Sequence, residues 1–251
     1  ENSRVFGGLM TTVRSALSTR TPDGHVFRVD LRLRPYGSAG PVAQPIEAIE
    51  AYYKNHASLW EFQALLKVGY LAGSRDLAAR MTELVNSSVR QEQDVDSLFE
   101  NIRRLRSAAA SRTGEGVIDV KDGVGGIRDV EFLTQGLQLI YATEIPQVLS
   151  GNTFEALRNL DRYHLLPTAI VDELTRTYVY LRRIEHLLQL YDDRQTHAVP
   201  ADSAGRTALA RRMGETPEAF EEHLATTMRR VRELFETFLR AESAANRRID
   251  G

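Results

Sequence analysis

The sequence contains no cysteine. Disulfides and thiolate metal sites are therefore excluded, and a reducing cytoplasm is the natural setting. No apolar run approaches the roughly 18 residues of a membrane span. The opening Glu1-Asn2-Ser3-Arg4 does not read as a signal peptide. Charge of one sign is not in excess, since 32 Lys+Arg meet 34 Asp+Glu for a formal charge of −2. That balance carries no global footprint of a nucleic-acid binder, though local basic clusters remain open. His25, His56, His164, His186, His197 and His223 fall at no metal-ligand spacing, and no Gly-x-Ser-x-Gly elbow is present. A starting methionine is also missing, which suggests a fragment of a longer protein.

What is present is mostly helical pattern. Val5, Leu9, Val13 and Leu17 recur at the spacing of one helix face, predicting a helix over 5–17. Thr21-Pro22-Asp23-Gly24 is a turn signal, and His25 to Arg34 reads as a strand. From Pro45 onward helices follow almost without interruption. They are expected over 46–70 (with a kink near 56–58), 75–88, 94–110, 127–141, 153–163, 167–191, 204–213 and 217–244. Val117-Ile118-Asp119-Val120 looks extended, Asp94 lies where an N-cap would, and Asn246 to Gly251 reads as a frayed end. The fold class expected is mainly α (α+β).

The segment Val29-Asp30-Leu31-Arg32-Leu33-Arg34-Pro35 stands out. On a strand, alternation puts Val29, Leu31 and Leu33 on one face and Asp30, Arg32 and Arg34 on the other. One carboxylate beside two guanidiniums suits phosphoryl or nucleotidyl transfer, where carboxylates fix magnesium and cations balance phosphate oxygens. An edge strand with a solvated charged face gives the same pattern. A second candidate is Lys121 to Phe132, where Gly123-Val124-Gly125-Gly126 runs into a helix start. Free N–H groups there, with Lys121 and Arg128, would favour an anion. The spacing is neither Walker nor Rossmann, and Asp129 and Glu131 equally serve the helix dipole. Glu131, Gln135 and Gln138 form a polar stripe that is either solvated or lines a cleft. In the third stretch, Leu181 to Leu188, Arg182 and Glu185 are spaced to pair on a helix surface.

Together these stretches resemble one family. Asp23 to Gly37 with Gly40-Pro41, Tyr52-Tyr53 through Trp60-Glu61 and Gln63 to Lys67, Lys121 through Gly125 to Phe132 and Gln135, Leu181 to Gln189, and Gln195-Thr196-His197 occur in order. They look like the glutamine synthetase adenylyltransferase/adenylyl-removing enzymes. The resemblance implies the remnant of a polymerase-beta-like nucleotidyltransferase domain with short strands (1–44), then a helical bundle (45–245) and a frayed tail (246–251).

It further implies an enzyme that removes AMP from a tyrosine of glutamine synthetase by Mg2+-dependent phosphorolysis. Asp30, Arg32 and Arg34 would be catalytic, with Asp30 the metal ligand. Lys121, Gly125, Gly126, Arg128 and Glu131 would line the phosphate or nucleotide side. Partners would be glutamine synthetase, a PII signalling protein, and ATP, ADP or orthophosphate, with no nucleic acid and no membrane. The alternatives are the adenylyl-transferring half using ATP, or a non-catalytic helical docking module. The family also places Gly-Ser and two spaced aspartates before the Asp30 segment, and this sequence holds no such motif. Two of the three expected ligands are thus absent, so residues 1–251 alone are expected to be inactive.

Overall fold

Helical periodicity carries most of the architecture. The computed structural model describes all residues except 1, 23, 25–26, 28, 112–113, 115, 193–195 and 250–251, and shows no strand ladder among them. It divides into two compact units, 1–89 and 90–251. The helices expected to begin the bundle after residue 44 are therefore shared between the units, those up to residue 89 lying in the first.

In the first unit, α1 covers Asn2–Ser18. Its apolar stripe is in register, yet it is not a buried face: Val5 is 63% and Leu9 55% exposed. The turn after it closes through paired hydrogen bonds between Thr21 and Gly24. The helix expected over 46–70 is two helices, α2 (Ile46–Asn55) and α3 (Leu59–Leu65). The expected kink is a full break because Ser58 restarts the helix with a capping box. Its backbone N–H donates to Glu61 Oε2 at 2.8 Å, and its side chain accepts from the Glu61 N–H. Both helices pack on α4 (Arg75–Val89).

The second unit is a bundle of α5 (Val95–Ala110), α6 (Ile127–Tyr141), α7 (Thr153–Arg162), α8 (Thr168–Asp192), α9 (Ser203–Met213) and α10 (Pro217–Ile249). Asp94 caps α5 as its position suggested, accepting the Ser97 N–H at 3.0 Å. Helix α10 runs on to Ile249, into the segment expected as a tail. Helix α6 sits in the middle, packed by α5, α7, α8 and α10. Its Ile127, Val130 and Leu137 join Leu98, Phe99, Ile102, Leu157, Leu174, Leu181, Phe220 and Phe235 in the core. That central place also buries two members of the polar stripe, Gln135 and Gln138, and leaves Glu131 half-buried; Gln138 Oε1 accepts the Ser150 N–H at 2.7 Å.

Candidate functional site

The segment read as a strand begins outside the described residues at His25, Val26 and Arg28. From Val29 to Arg32 the alternation survives without a ladder: Val29 and Leu31 are half-buried, Asp30 and Arg32 exposed. Then the parity flips. Leu33 turns out, 72% exposed, and Arg34 turns in. Tyr36 and Gly37 both take positive φ, at 62° and 56°, and open a short 3-10 turn over Gly37–Ala39. Arg34 closes the loop by donating from Nε and Nη2 to the Gly40 carbonyl at 3.1 and 2.8 Å, and from Nη1 to the Leu31 carbonyl. The described residues thus form a loop clipped by Arg34 where a strand was expected. A strand needs a partner, and none lies beside this segment among the described residues.

Asp30 and Arg32 remain together on the exposed side. Arg32 Nε donates to both Asp30 oxygens at 3.0 Å, Nη2 donates to Oδ2 at 2.6 Å, and the Arg32 N–H donates to Oδ1 at 2.9 Å. At this exposure the pair adds little to stability. What it provides is a solvent-exposed guanidinium oriented by Asp30, whose fork would suit a phosphate once released from that carboxylate. It does not fit a magnesium pair by itself. Both Asp30 oxygens are already accepting, and no group of three or more His, Asp or Glu able to hold a metal occurs among the described residues. Behind the loop a cavity of about 170 Å³ is lined by Leu33, Arg34, Tyr53, Trp60 and Lys67, with Glu61 at its wall. Burial pushes the Tyr53 hydroxyl up to about 12, so it stays protonated. Glu61 is itself held, accepting from Tyr52 Oη at 2.9 and 3.0 Å.

In the second unit the Lys121 to Phe132 stretch meets two motifs distant in sequence. The Val117 to Val120 segment, expected to be extended, makes one antiparallel bridge from Asp119 to Ala198. The Val120 N–H donates to the His197 carbonyl at 3.0 Å, and the Val199 N–H to the Ile118 carbonyl at 2.8 Å. This brings Lys121 and His197 to Glu185 on α8. Glu185 does not lie on the surface as its spacing suggested; it is 1% exposed. Lys121 Nζ lies 3.1 Å from Oε1 and Arg182 Nη1 2.6 Å from Oε2, while His197 Nδ1 is 3.3 Å from Oε1. No spacing rule links residues 121, 185 and 197, so this cluster was out of reach of the sequence.

The glycine N–H groups of the loop are committed, that of Gly123 to the Asp119 carbonyl. The Gly125 N–H donates to Asp129 Oδ2 at 2.7 Å, the Gly126 N–H to the Gly123 carbonyl at 3.0 Å, and the Ile127 N–H to the Val120 carbonyl at 2.9 Å. Arg128 pairs with Asp122, and Glu131 Oε1 accepts from Tyr178 Oη at 2.9 Å. A phosphate at this helix start would have to displace such contacts. A cavity of about 440 Å³ beside the loop offers no cation among its described lining residues; its charged members are Asp119 and Glu221.

Desolvation, then Lys121, hold His197 below its ordinary value of 6.5, against Glu185, Asp119 and Asp122, which act to raise it. The unfolded chain therefore binds the proton first as pH falls. The stability contributed by neutral His197 is present above 6.5 and declines below that value, down through the lower folded one. Urea melts at stepped pH are expected to show this acid loss, and His197→Gln should flatten it. An unchanged slope in the variant would exclude His197 as its source.

Comparison with known proteins follows the same division. A family model described as GlnD PII-uridylyltransferase matches residues 100–239, and one described as Glutamate-ammonia ligase adenylyltransferase matches residues 1–84. The chain is 37% identical over 242 residues to the bifunctional glutamine synthetase adenylyltransferase/adenylyl-removing enzyme of Thioalkalivibrio sulfidiphilus, an alignment covering 94% of this chain and 25% of that protein. With the protein of the same description from Nitrosococcus oceani it shares 36% over 244 residues, covering 96% and 25%. The corresponding figures for Pseudomonas aeruginosa are 33% over 234 residues, 92% and 24%. The chain thus spans about a quarter of the length of these relatives. With the motifs in order along both units, the chain belongs to the family of glutamine synthetase adenylyltransferase/adenylyl-removing enzymes.

Proposed function

We propose that this chain serves nucleotidyl exchange on glutamine synthetase, in the direction that removes AMP. The observation that carries nucleotidyl exchange is the alignment of nearly all of the chain with enzymes described as bifunctional, and the direction rests on the resemblance of the Leu181 to Leu188 and Gln195-Thr196-His197 motifs to the removing half. In the reaction, an oxygen of orthophosphate attacks the adenylyl phosphorus, the bond to the tyrosine oxygen breaks, and ADP and free tyrosine leave. Arg32 rests forked on Asp30, and the same fork suits the phosphate oxygens that enter. Arg34, held by loop carbonyls, positions that pair. Lys121, Gly125, Gly126, Arg128 and Glu131 enter the reading as nucleotide contacts of the second unit taken by itself, available only if their present partners give way. Magnesium belongs to it only where further carboxylates join Asp30, so residues 1–251 alone are expected to be inactive.

The test grafts this chain in place of the matching segment of the Thioalkalivibrio sulfidiphilus enzyme and supplies adenylylated glutamine synthetase. Orthophosphate-dependent ADP release is expected, and Asp30→Asn should lower kcat by about 100-fold or more, as when a ligand of the cation that balances transition-state charge is lost. A variant within a few-fold of the parent graft would sink the role of Asp30. A graft that only consumes ATP to add AMP would reverse the direction.

A second reading rests on the PII-uridylyltransferase match over residues 100–239. It makes the second unit a docking module for a PII protein or for glutamine synthetase. Binding of either by residues 1–251, undiminished by Asp30→Asn, is the expected result for that module; titration calorimetry without heat would remove it.

A further inference from the structure

We propose that the cavity behind the Arg34 loop receives the flat base of the adenine nucleotide, leaving its phosphate beside Asp30 and Arg32. The inference rests on the nucleotidyl-exchange reading for the identity of the base, and on the cavity itself for the rest. Enclosures that take a whole small-molecule ligand run to about 300–1,000 Å³. At about 170 Å³ this one suits a single ring system with the remainder of the molecule outside.

Its walls have the right chemistry for that part of a nucleotide. Tyr53 and Trp60 supply aromatic faces, Leu33 and Val68 aliphatic edges, and Arg34 and Lys67 positive charge. Bases recognised one at a time are commonly held by stacking on aromatic side chains and on guanidinium planes. The Arg34 guanidinium is immobilised by the carbonyls of Leu31, Ser38 and Gly40. These are neutral acceptors, so among the described residues no carboxylate cancels its charge. Glu61, the acidic group in the wall, is occupied by Tyr52 Oη and the Ser58 N–H. Leu33 stands 72% exposed at the rim, apolar surface that a seated ring would cover. Arg34 also links the two ends of the site: it lines the cavity and, two residues earlier, the backbone carries the exposed Arg32 guanidinium, seated on Asp30. Base and phosphate would thus be read by one short loop.

Trp60 is the single tryptophan of the sequence, so its emission reports on the cavity directly. Residues 1–251 are titrated with AMP, ribose 5-phosphate and orthophosphate, exciting where adenine does not absorb. Saturable quenching by AMP is expected, with ribose 5-phosphate and orthophosphate without effect. Saturation-transfer NMR on the same mixture should mark the adenine protons more strongly than the ribose protons. Ala64→Leu, which fills the cavity from α3, should abolish the quench while circular dichroism stays that of the parent. No quenching by millimolar AMP, or equal quenching by ribose 5-phosphate, overturns the proposal; so does a ribose-dominated transfer pattern, which needs no variant to fold. AMP quenching with an inactive graft would leave the cavity assigned and remove the activity. An active graft with a silent Trp60 would do the reverse.

Discussion

Gly125→Ala is expected to lower the stability of the second unit by about 2–5 kcal/mol, with a matching fall in its urea midpoint. Two separate costs meet at this position. Gly125 has φ +79°, and an L-residue in the left-handed region costs about 1–2 kcal/mol. A Cβ there would also fall deep inside the Met228 carbonyl oxygen and 3.0 Å from Met228 Cα. That obstacle is helix backbone, which yields only by moving α10 or the loop, and such overpacking costs about 1–3 kcal/mol more. Moving the loop would further strain the Gly125 N–H to Asp129 Oδ2 bond of 2.7 Å. Gly214 supplies the control, with φ +82° and open space around its Cβ position. Gly214→Ala should show only the conformational part, about 1–2 kcal/mol. Circular dichroism melts of both variants decide the matter, and equal midpoints would mean that the α10 contact adds nothing.

That result bears on how such a loop is read. Gly123 to Gly126 before a helix has the same appearance whether the glycines make room for a ligand or for the protein's own backbone. Which of these holds depends on what occupies the space beside them, and here that is Met228, over 100 residues away in sequence. Helices were legible because their evidence is local. The spacing of Leu98 and Ile102, or Asp94 ahead of α5, needs nothing from elsewhere in the chain. The Val29 to Arg34 segment shows the opposite case. Its alternation is genuine for four residues, but a strand is defined by its neighbour, and the bend at Leu33 comes from the clip that Arg34 makes with Gly40. Glu185 misled for a related reason: pairing with Arg182 at a three-residue spacing was foreseeable, whereas its burial follows from Lys121 and His197 arriving from other segments. The sequence resemblance saw these motifs together without saying how they touch.

The second large effect is expected at the Arg106–Asp129 pair, which joins α5 to α6. Asp129 is 1% exposed, and Arg106 Nε donates to its oxygens at 2.9 and 3.1 Å. The guanidinium also lies over the Phe235 ring, 4.8 Å from its centroid. Arg106→Met keeps the stem that packs there and removes the charge, leaving a buried carboxylate without its counter-ion; about 3–5 kcal/mol is the usual loss. Burial already lifts the Asp129 carboxyl above its ordinary 3.8, with Arg106 and the Gly125 N–H pulling it down. Without Arg106 the lift increases. A group with a raised folded pKa stabilises most when protonated, so the penalty of Arg106→Met should be greatest at neutral pH and shrink on acidification. Asp129→Asn should cost less, since Arg106 is 17% exposed along its side chain and keeps some access to water. The double variant should cost clearly less than the sum of the two, because each single change leaves the other partner stranded. Urea melts at neutral and mildly acidic pH test all three statements. Additive losses that do not change with pH would show that the pair contributes packing alone, and that the loop at Gly125 is held in place by shape without the charge beneath it.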